Sequence, residues 1–170
     1  MFIRKREQLD LLIANVEKTI AAAERRAEMT DKEKFEGFKQ KMIEENERKY
    51  GEEIREKYGD EEVDKSYRKL KNMTKEQYEE AERLSAELKN LLKQAFATGD
   101  PAGELAQKTA DLHRQWLCCF WESYSKEAHA GLAKMYVEDE RFAAYYDKDQ
   151  PGTAEFLRDA ILIYTGMKEE

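Results

Sequence analysis

Both histidines, both cysteines and both tryptophans of the chain fall between His113 and Phe142, in HRQWLCCFWESYSKEAHAGLAKMYVEDERF. These are the side chains that bind metals, act as nucleophiles or stack on flat ligands, so any chemistry of the protein is concentrated there. Catalysis finds little support in their spacing. His113 and His129 are sixteen positions apart on different expected helices, and no Glu-x-x-His or His-x-x-x-His pair accompanies them to hold a metal. Asp111 and His113, two positions apart, face different sides of a helix. Each histidine reads as a packed, hydrogen-bonded residue. Cys118 and Cys119 are adjacent, which gives poor geometry for a mutual disulfide and no metal-ligand spacing, so both read as reduced thiols acting as small apolar residues. No phosphate loop, nucleophile elbow or Cys/His dyad is present. The expectation is a protein that is not an enzyme and carries no cofactor. One imidazole among aromatic residues suits a proximal haem ligand, but nothing in the pattern selects iron.

Binding fits the same residues better. Trp116, Phe120, Trp121, Tyr124, Tyr136, Phe142, Tyr145 and Tyr146 offer flat apolar faces with a few polar tips, as a site for a large, hydrophobic, partly polar molecule requires. A core of leucines at 84–92 and a final apolar helix already supply the packing, so the aromatic set exceeds what a core needs. The candidate ligand-binding residues are His113, Trp116, Phe120, Trp121, Tyr124, His129, Gly131, Met135, Tyr136, Phe142 and Tyr145.

The elements that position them are helical. The chain has 170 residues, 39% of them charged with the two signs interleaved, a net charge of −7, two prolines and eight glycines. That composition lacks the punctuation of a β or α/β fold and reads as all-α. An acidic balance argues against direct contact with nucleic acid. No apolar run long enough for a membrane span or a signal peptide occurs, so a cytoplasmic protein is expected.

Phe2, Leu9, Val16 and Ala23 recur every seven residues, with Leu12, Ile13 and Ile20 beside them, giving a coiled-coil-like seam over 2–26 that seeks a partner. A break is expected at Glu28–Met29–Thr30, where Thr30 and Glu33 make a capping-box pattern. The following segment has sparse apolar positions and is interrupted by Gly51 and Gly59, so residues 28–66 are expected to be the most mobile part. A short helix follows over 61–72, then a strongly amphipathic helix from Lys75 to about Thr98 with a Thr74/Gln77 capping box, stopped by Gly99. Asp100 is expected to cap a helix from Ala102 to Trp121, Ser125 one from Lys126 to about Tyr136, Asp139 one from Glu140 to Tyr146, and Pro151–Gly152 to open the last. Unequal helices with short corners predict a globular, globin-like α fold over 67–170 rather than a regular bundle.

The segments HRQW (113–116), EAHAGLAKMYVEDERFAAYYD (127–147) and PGTAEFLRDAI (151–161) resemble the TipAS domain, the antibiotic-recognition effector domain at the C-terminus of a subfamily of MerR-type transcriptional activators. Weaker likeness runs upstream through 57–78 and TDKEKFEGF at 30–38, and residues 1–27 resemble the end of the MerR dimerisation helix. The resemblance implies a globin-like domain preceded by a coiled-coil-type dimerisation helix and a cleft for bulky antibiotics or drugs. It also implies an N-terminal half that orders on binding, a homodimer through 2–26 in the full regulator, and DNA contact only through an N-terminal domain that this chain lacks. Family members that trap thiopeptides covalently use a cysteine just after the family histidine; here that segment reads HAGL, with Gly131 in its place. Reversible recognition is therefore expected. The alternative reading is a helical protein–protein interaction module whose aromatics are ordinary core.

Overall fold

The structure is a computed structural model that describes the backbone of residues 2–169 and the side chains of residues 6–27 and 31–169. Seven helices and, among the described residues, no strand make up the chain: α1 (Phe2–Tyr58), α2 (Asp60–Lys71), α3 (Lys75–Thr98), α4 (Glu104–Phe120), α5 (Lys126–Glu138), α6 (Glu140–Asp147) and α7 (Thr153–Thr165). The all-α expectation holds. Two compact units divide at the α1/α2 corner, one being 1–59 and the other 60–170.

The first unit is a single helix of 57 residues. The break expected at 28–30 does not occur, because the backbone stays helical through those positions. The run between Arg26 and Phe35 has no Gly or Pro and is rich in Glu and Lys, whose helix propensity outweighs the capping-box pattern. The side chains of Phe2 and Thr30, on which the seam and that cap partly rested, lie outside the described residues. Gly51 is also accommodated, whereas Gly59 does end the helix, at φ +87°, donating its N–H to the Arg55 carbonyl. Leu9, Leu12, Ile13, Val16 and Ile20 of the expected seam lie on α1 and are all more than half exposed, as is Leu11 outside it.

In the second unit each helix is delimited by a recognisable signal. α2 begins with Asp60, Glu61 and Glu62 and ends with Arg68, Lys69 and Lys71, opposing its dipole at both ends. Its Lys69 ammonium donates to the carbonyls of Cys118 (2.6 Å) and Trp121 (2.5 Å), placing a charge on the C-terminal end of α4. The Thr74/Gln77 capping box of α3 forms as expected, with Gln77 N–H on Thr74 Oγ1 at 3.1 Å and Thr74 N–H on Gln77 Oε1 at 2.9 Å. Gly99 closes α3 in the left-handed region. Asp100, however, accepts from Ala102 N–H in the turn before α4, and Gly103 occupies the cap position, so α4 begins two residues later than expected. Ser125 caps α5 through Ala128 N–H and Asp139 caps α6 through Arg141 N–H, as the sequence indicates.

The core lies among α3, α4, α5 and α7. Leu92, Ala95, Ala106, Ala110, Ala133, Tyr136, Phe156, Leu157, Ala160 and Ile161 form its main cluster. Five of these ten are alanines, and the small side chains let helix backbones approach closely around the few large ones. Leu84, Leu88 and Leu112 form a second cluster, against which Trp116 and Cys119 pack. This places α4 at the centre, with α3 on one side and α5 and α7 on the other, and sets its face bearing His113 into the interior.

The Lys69 contact can be tested directly. Lys69→Met keeps the apolar stem and removes both charge-assisted bonds to the end of α4, which is expected to cost about 1–3 kcal/mol of unfolding free energy in denaturant melts. No change in the melt would show that the contact contributes nothing to holding α2 on α4.

Candidate ligand-binding site

The two histidines, sixteen positions apart in sequence, are hydrogen-bonded to each other in the core. His113 Nδ1 lies 2.8 Å from His129 Nε2, with the ring planes within 3° of parallel, and both residues are fully buried. Each ring's other nitrogen meets a phenol. His129 Nδ1 is 2.7 Å from the Tyr124 hydroxyl and His113 Nε2 is 3.0 Å from that of Tyr136. Tyr136 is itself hydrogen-bonded to Tyr146. A single polar chain, Tyr124–His129–His113–Tyr136–Tyr146, thus crosses the domain from the start of α5 through α4 and back through α5 to α6.

Burial fixes the charge state of this chain. His113 is pushed down to about 3, first by burial and then by His129, and His129 to about 4, by burial and by the Arg114 guanidinium. Burial pushes the Tyr146 phenol up to about 12, against the hydrogen bond from Tyr136. All members are therefore neutral near pH 7. Neutrality imposes a parity rule, since a neutral imidazole has one N–H and one lone pair. If His129 Nε2 carries the proton and donates to His113 Nδ1, then Tyr124 donates to His129 and His113 donates to Tyr136. If His113 Nδ1 donates to His129 Nε2, every bond reverses: Tyr136 donates inward and His129 Nδ1 donates to Tyr124. The two histidines must share the same tautomer.

Aromatic residues surround this chain. Trp116 packs tilted on His113 with centroids 5.7 Å apart and meets Phe120 edge-on at 5.5 Å. Trp121 lies 6.4 Å from Tyr124. At the other end Phe142, 36% exposed, contacts Tyr136 at 5.4 Å, and Tyr145, 54% exposed, meets Tyr146 edge-on at 5.1 Å. Of the candidate residues, His113, His129 and Tyr136 are buried, Trp116, Phe120, Trp121, Tyr124 and Met135 half-buried, and Gly131, Phe142 and Tyr145 exposed. Ring contacts or hydrogen bonds join them into one group, with Tyr145 reached through Tyr146; Met135 and Gly131 share α5 with His129 and Tyr136.

Residues outside that set also converge here. Asp111 Oδ1 accepts from the Tyr164 hydroxyl at 2.7 Å and from Arg114, while Asp111 Oδ2 accepts from Gln115 at 2.8 Å. Arg114 Nε donates to the Tyr164 oxygen at 2.9 Å, and the Tyr164 ring stands edge-on to His129. The hydrogen bond from Tyr164 leads the effects that hold the Asp111 carboxyl below its usual range. The i, i+3 and i, i+4 spacing of Asp111, Arg114 and Gln115 was visible in the sequence. Their link to Tyr164, fifty residues on, was not. Cys119 does not sit in a reactive setting: burial pushes its thiol up, and its Sγ donates to the Gln115 carbonyl at 3.6 Å.

A family profile described as the TipAS antibiotic-recognition domain matches residues 50–164, which include every residue of this group. The chain belongs to the TipAS antibiotic-recognition family. It is 33% identical over 170 residues to the transcriptional activator TipA of Streptomyces coelicolor, covering 94% of this chain and 65% of that protein. It is 24% identical to the transcriptional activator mta of Bacillus subtilis, covering 99% of this chain and 65% of that one. The chain therefore spans just under two thirds of the length of these relatives. The TipAS structure from Streptomyces lividans, solved in complex with the thiopeptide nosiheptide, shares 34% identity and superimposes with a TM-score of 0.60, over 71% of this chain and 85% of that one. The expected globin-like TipAS fold is thereby established. No described helix is long and apolar enough to cross a membrane.

The depressed imidazoles set the pH response. A folded-state value below the unfolded 6.5 means that the unfolded chain takes up protons first, so the stability is fully present above about pH 6.5 and is lost as pH falls toward 4. Within that window the loss approaches about 1.4 kcal/mol per pH unit for each imidazole. Nitrogen-15 NMR is expected to show no titration of either ring between pH 8 and 5, and the same tautomer on both. A midpoint near 6.5 for either ring, or unlike tautomers, would contradict the buried neutral pair.

Proposed function

We propose that this chain is the drug-reading effector domain of a MerR-type transcriptional activator, and that it holds bulky hydrophobic antibiotics against the half-buried aromatic residues around the histidine chain. The observation that carries the reading is the coincidence of the family match over 50–164 with that aromatic group, together with the nosiheptide-bound relative of the same fold. The ligand-binding residues are His113, Trp116, Phe120, Trp121, Tyr124, His129, Gly131, Met135, Tyr136, Phe142 and Tyr145. In the complete cytoplasmic regulator the exposed Leu9–Ile20 seam pairs two copies, and DNA contact belongs to a separate N-terminal domain. Residues 28–66 gain order on binding, which amide exchange with and without antibiotic measures.

Recognition is reversible. Gly131 is exposed on α5, nothing lies within 4 Å of where its Cβ would stand, and no thiol occupies the position that covalent family members use. The raised Cys119 thiol supplies little thiolate in its stead.

Titration with nosiheptide is expected to change the fluorescence of Trp116 and Trp121 and to raise the melting temperature, since a ligand well above its Kd stabilises the state that binds it. A silent response across nosiheptide and a panel of unrelated lipophilic antibiotics refutes the reading. Intact-mass analysis after incubation with nosiheptide is expected to show unmodified wild-type protein and an adduct on Gly131→Cys. An adduct on Cys118 or Cys119 would overturn reversible recognition.

A further inference from the structure

Beside the aromatic faces lies a half-exposed polar group with its own geometry. Asp111, Arg114, Gln115, Tyr124 and Tyr164 come from α4, the α4–α5 corner and α7, and all are partly open to solvent. They gather around buried His129, whose ring is met edge-on by both Tyr124 and Tyr164. Arg114 is held in place from one side only. Its Nε and one terminal nitrogen are taken by Tyr164 and Asp111, while among the described residues its other terminal nitrogen, Nη1, has no acceptor. Its side chain is 35% exposed.

We propose that Arg114 Nη1 and the Tyr124 hydroxyl form a hydrogen-bond-donating subsite for uncharged acceptors on the ligand, such as amide carbonyls or azole nitrogens, with Tyr164 as the residue that positions Arg114. This rests on the ligand-binding reading above and deepens it. Two features select the chemistry. First, Asp111 cancels the charge of Arg114 at close range, so the subsite offers directed N–H groups without net positive charge, and an anionic ligand would meet the Asp111 carboxylate. Second, Tyr124 can donate outward only when its oxygen accepts from His129 Nδ1, which is one of the two allowed orientations of the buried chain. A ligand acceptor at Tyr124 thus selects the orientation in which both histidines carry the proton on Nδ1 and Tyr136 donates to His113. Binding at the α5 entrance is thereby registered at Tyr136 and Tyr146 without any ring moving.

The test is calorimetric titration of the wild-type chain, Arg114→Met and Tyr124→Phe with nosiheptide, alongside nitrogen-15 NMR of the histidines in free and bound wild-type protein. Each substitution is expected to weaken binding at least about ten-fold, the scale of losing one charge-assisted or ligand-facing hydrogen bond. The bound wild-type protein is expected to show Nδ1–H on both histidines. Unchanged affinity in folded variants, or Nε2–H on either ring in the complex, overturns the subsite while leaving the effector reading intact. Should a variant melt too early to titrate, the tautomer measurement decides alone. If the wild-type protein fails to bind nosiheptide, the same titrations use a panel antibiotic that it does bind; if it binds none, the effector reading fails and the subsite fails with it.

Discussion

The hydrogen bond between His113 and His129 is the constraint on which the rest of the domain depends. Two imidazoles buried without a carboxylate have to be neutral, and neutral imidazoles that meet nitrogen to nitrogen need partners of defined polarity at their outer atoms. Tyr124 and Tyr136 supply those partners, so α5 is tied to α4 at two places, His113–His129 and His113–Tyr136, and to the α4–α5 corner at a third, Tyr124–His129. The alanines at 95, 106, 110, 133 and 160 let the helices of the main core cluster approach closely around that pair. Packing and polar connectivity therefore specify the same helix arrangement.

The ligand site proposed around such a chain would differ from a simple greasy cleft. Trp116, Phe120 and Trp121 offer area, which binds many hydrophobic molecules with little discrimination. Directionality comes from the polar chain and from the Asp111–Arg114–Tyr164 group, which hold donors at fixed positions. On the proposed reading, an effector for varied antibiotics would benefit from that division: tolerant aromatic surface, and a few donors that report whether an acceptor has arrived. Glycine rather than cysteine at 131 fits the same proposal, since a reversible sensor would release its ligand when the concentration falls.

The first unit follows different physics. Along Leu9–Ile20 the large apolar residues of α1 are exposed, so the helix there is set by propensity rather than by a core. Such a segment is suited to an energy balance that a partner or ligand can tip. The domain from 60 to 170, with its alanine-rich core, holds the opposite end of that range.

The sequence by itself determined the helix class, the caps at Thr74, Ser125 and Asp139, the stop at Gly99, and the residues rich in binding chemistry, because each is a local signal carried by neighbouring side chains. It was misleading at Thr30, where a cap pattern lies inside a strong helical run, and at Asp100, where the carboxylate serves a turn. Only the tertiary structure decided that His113 and His129 pair, that Tyr124 and Tyr136 close the chain, and that Tyr164 reaches Arg114 and Asp111. Those contacts join residues 5 to 53 positions apart, most of them on different helices, and no periodicity along the chain encodes the crossing of α4 with α5 and α7 that brings them within bonding distance.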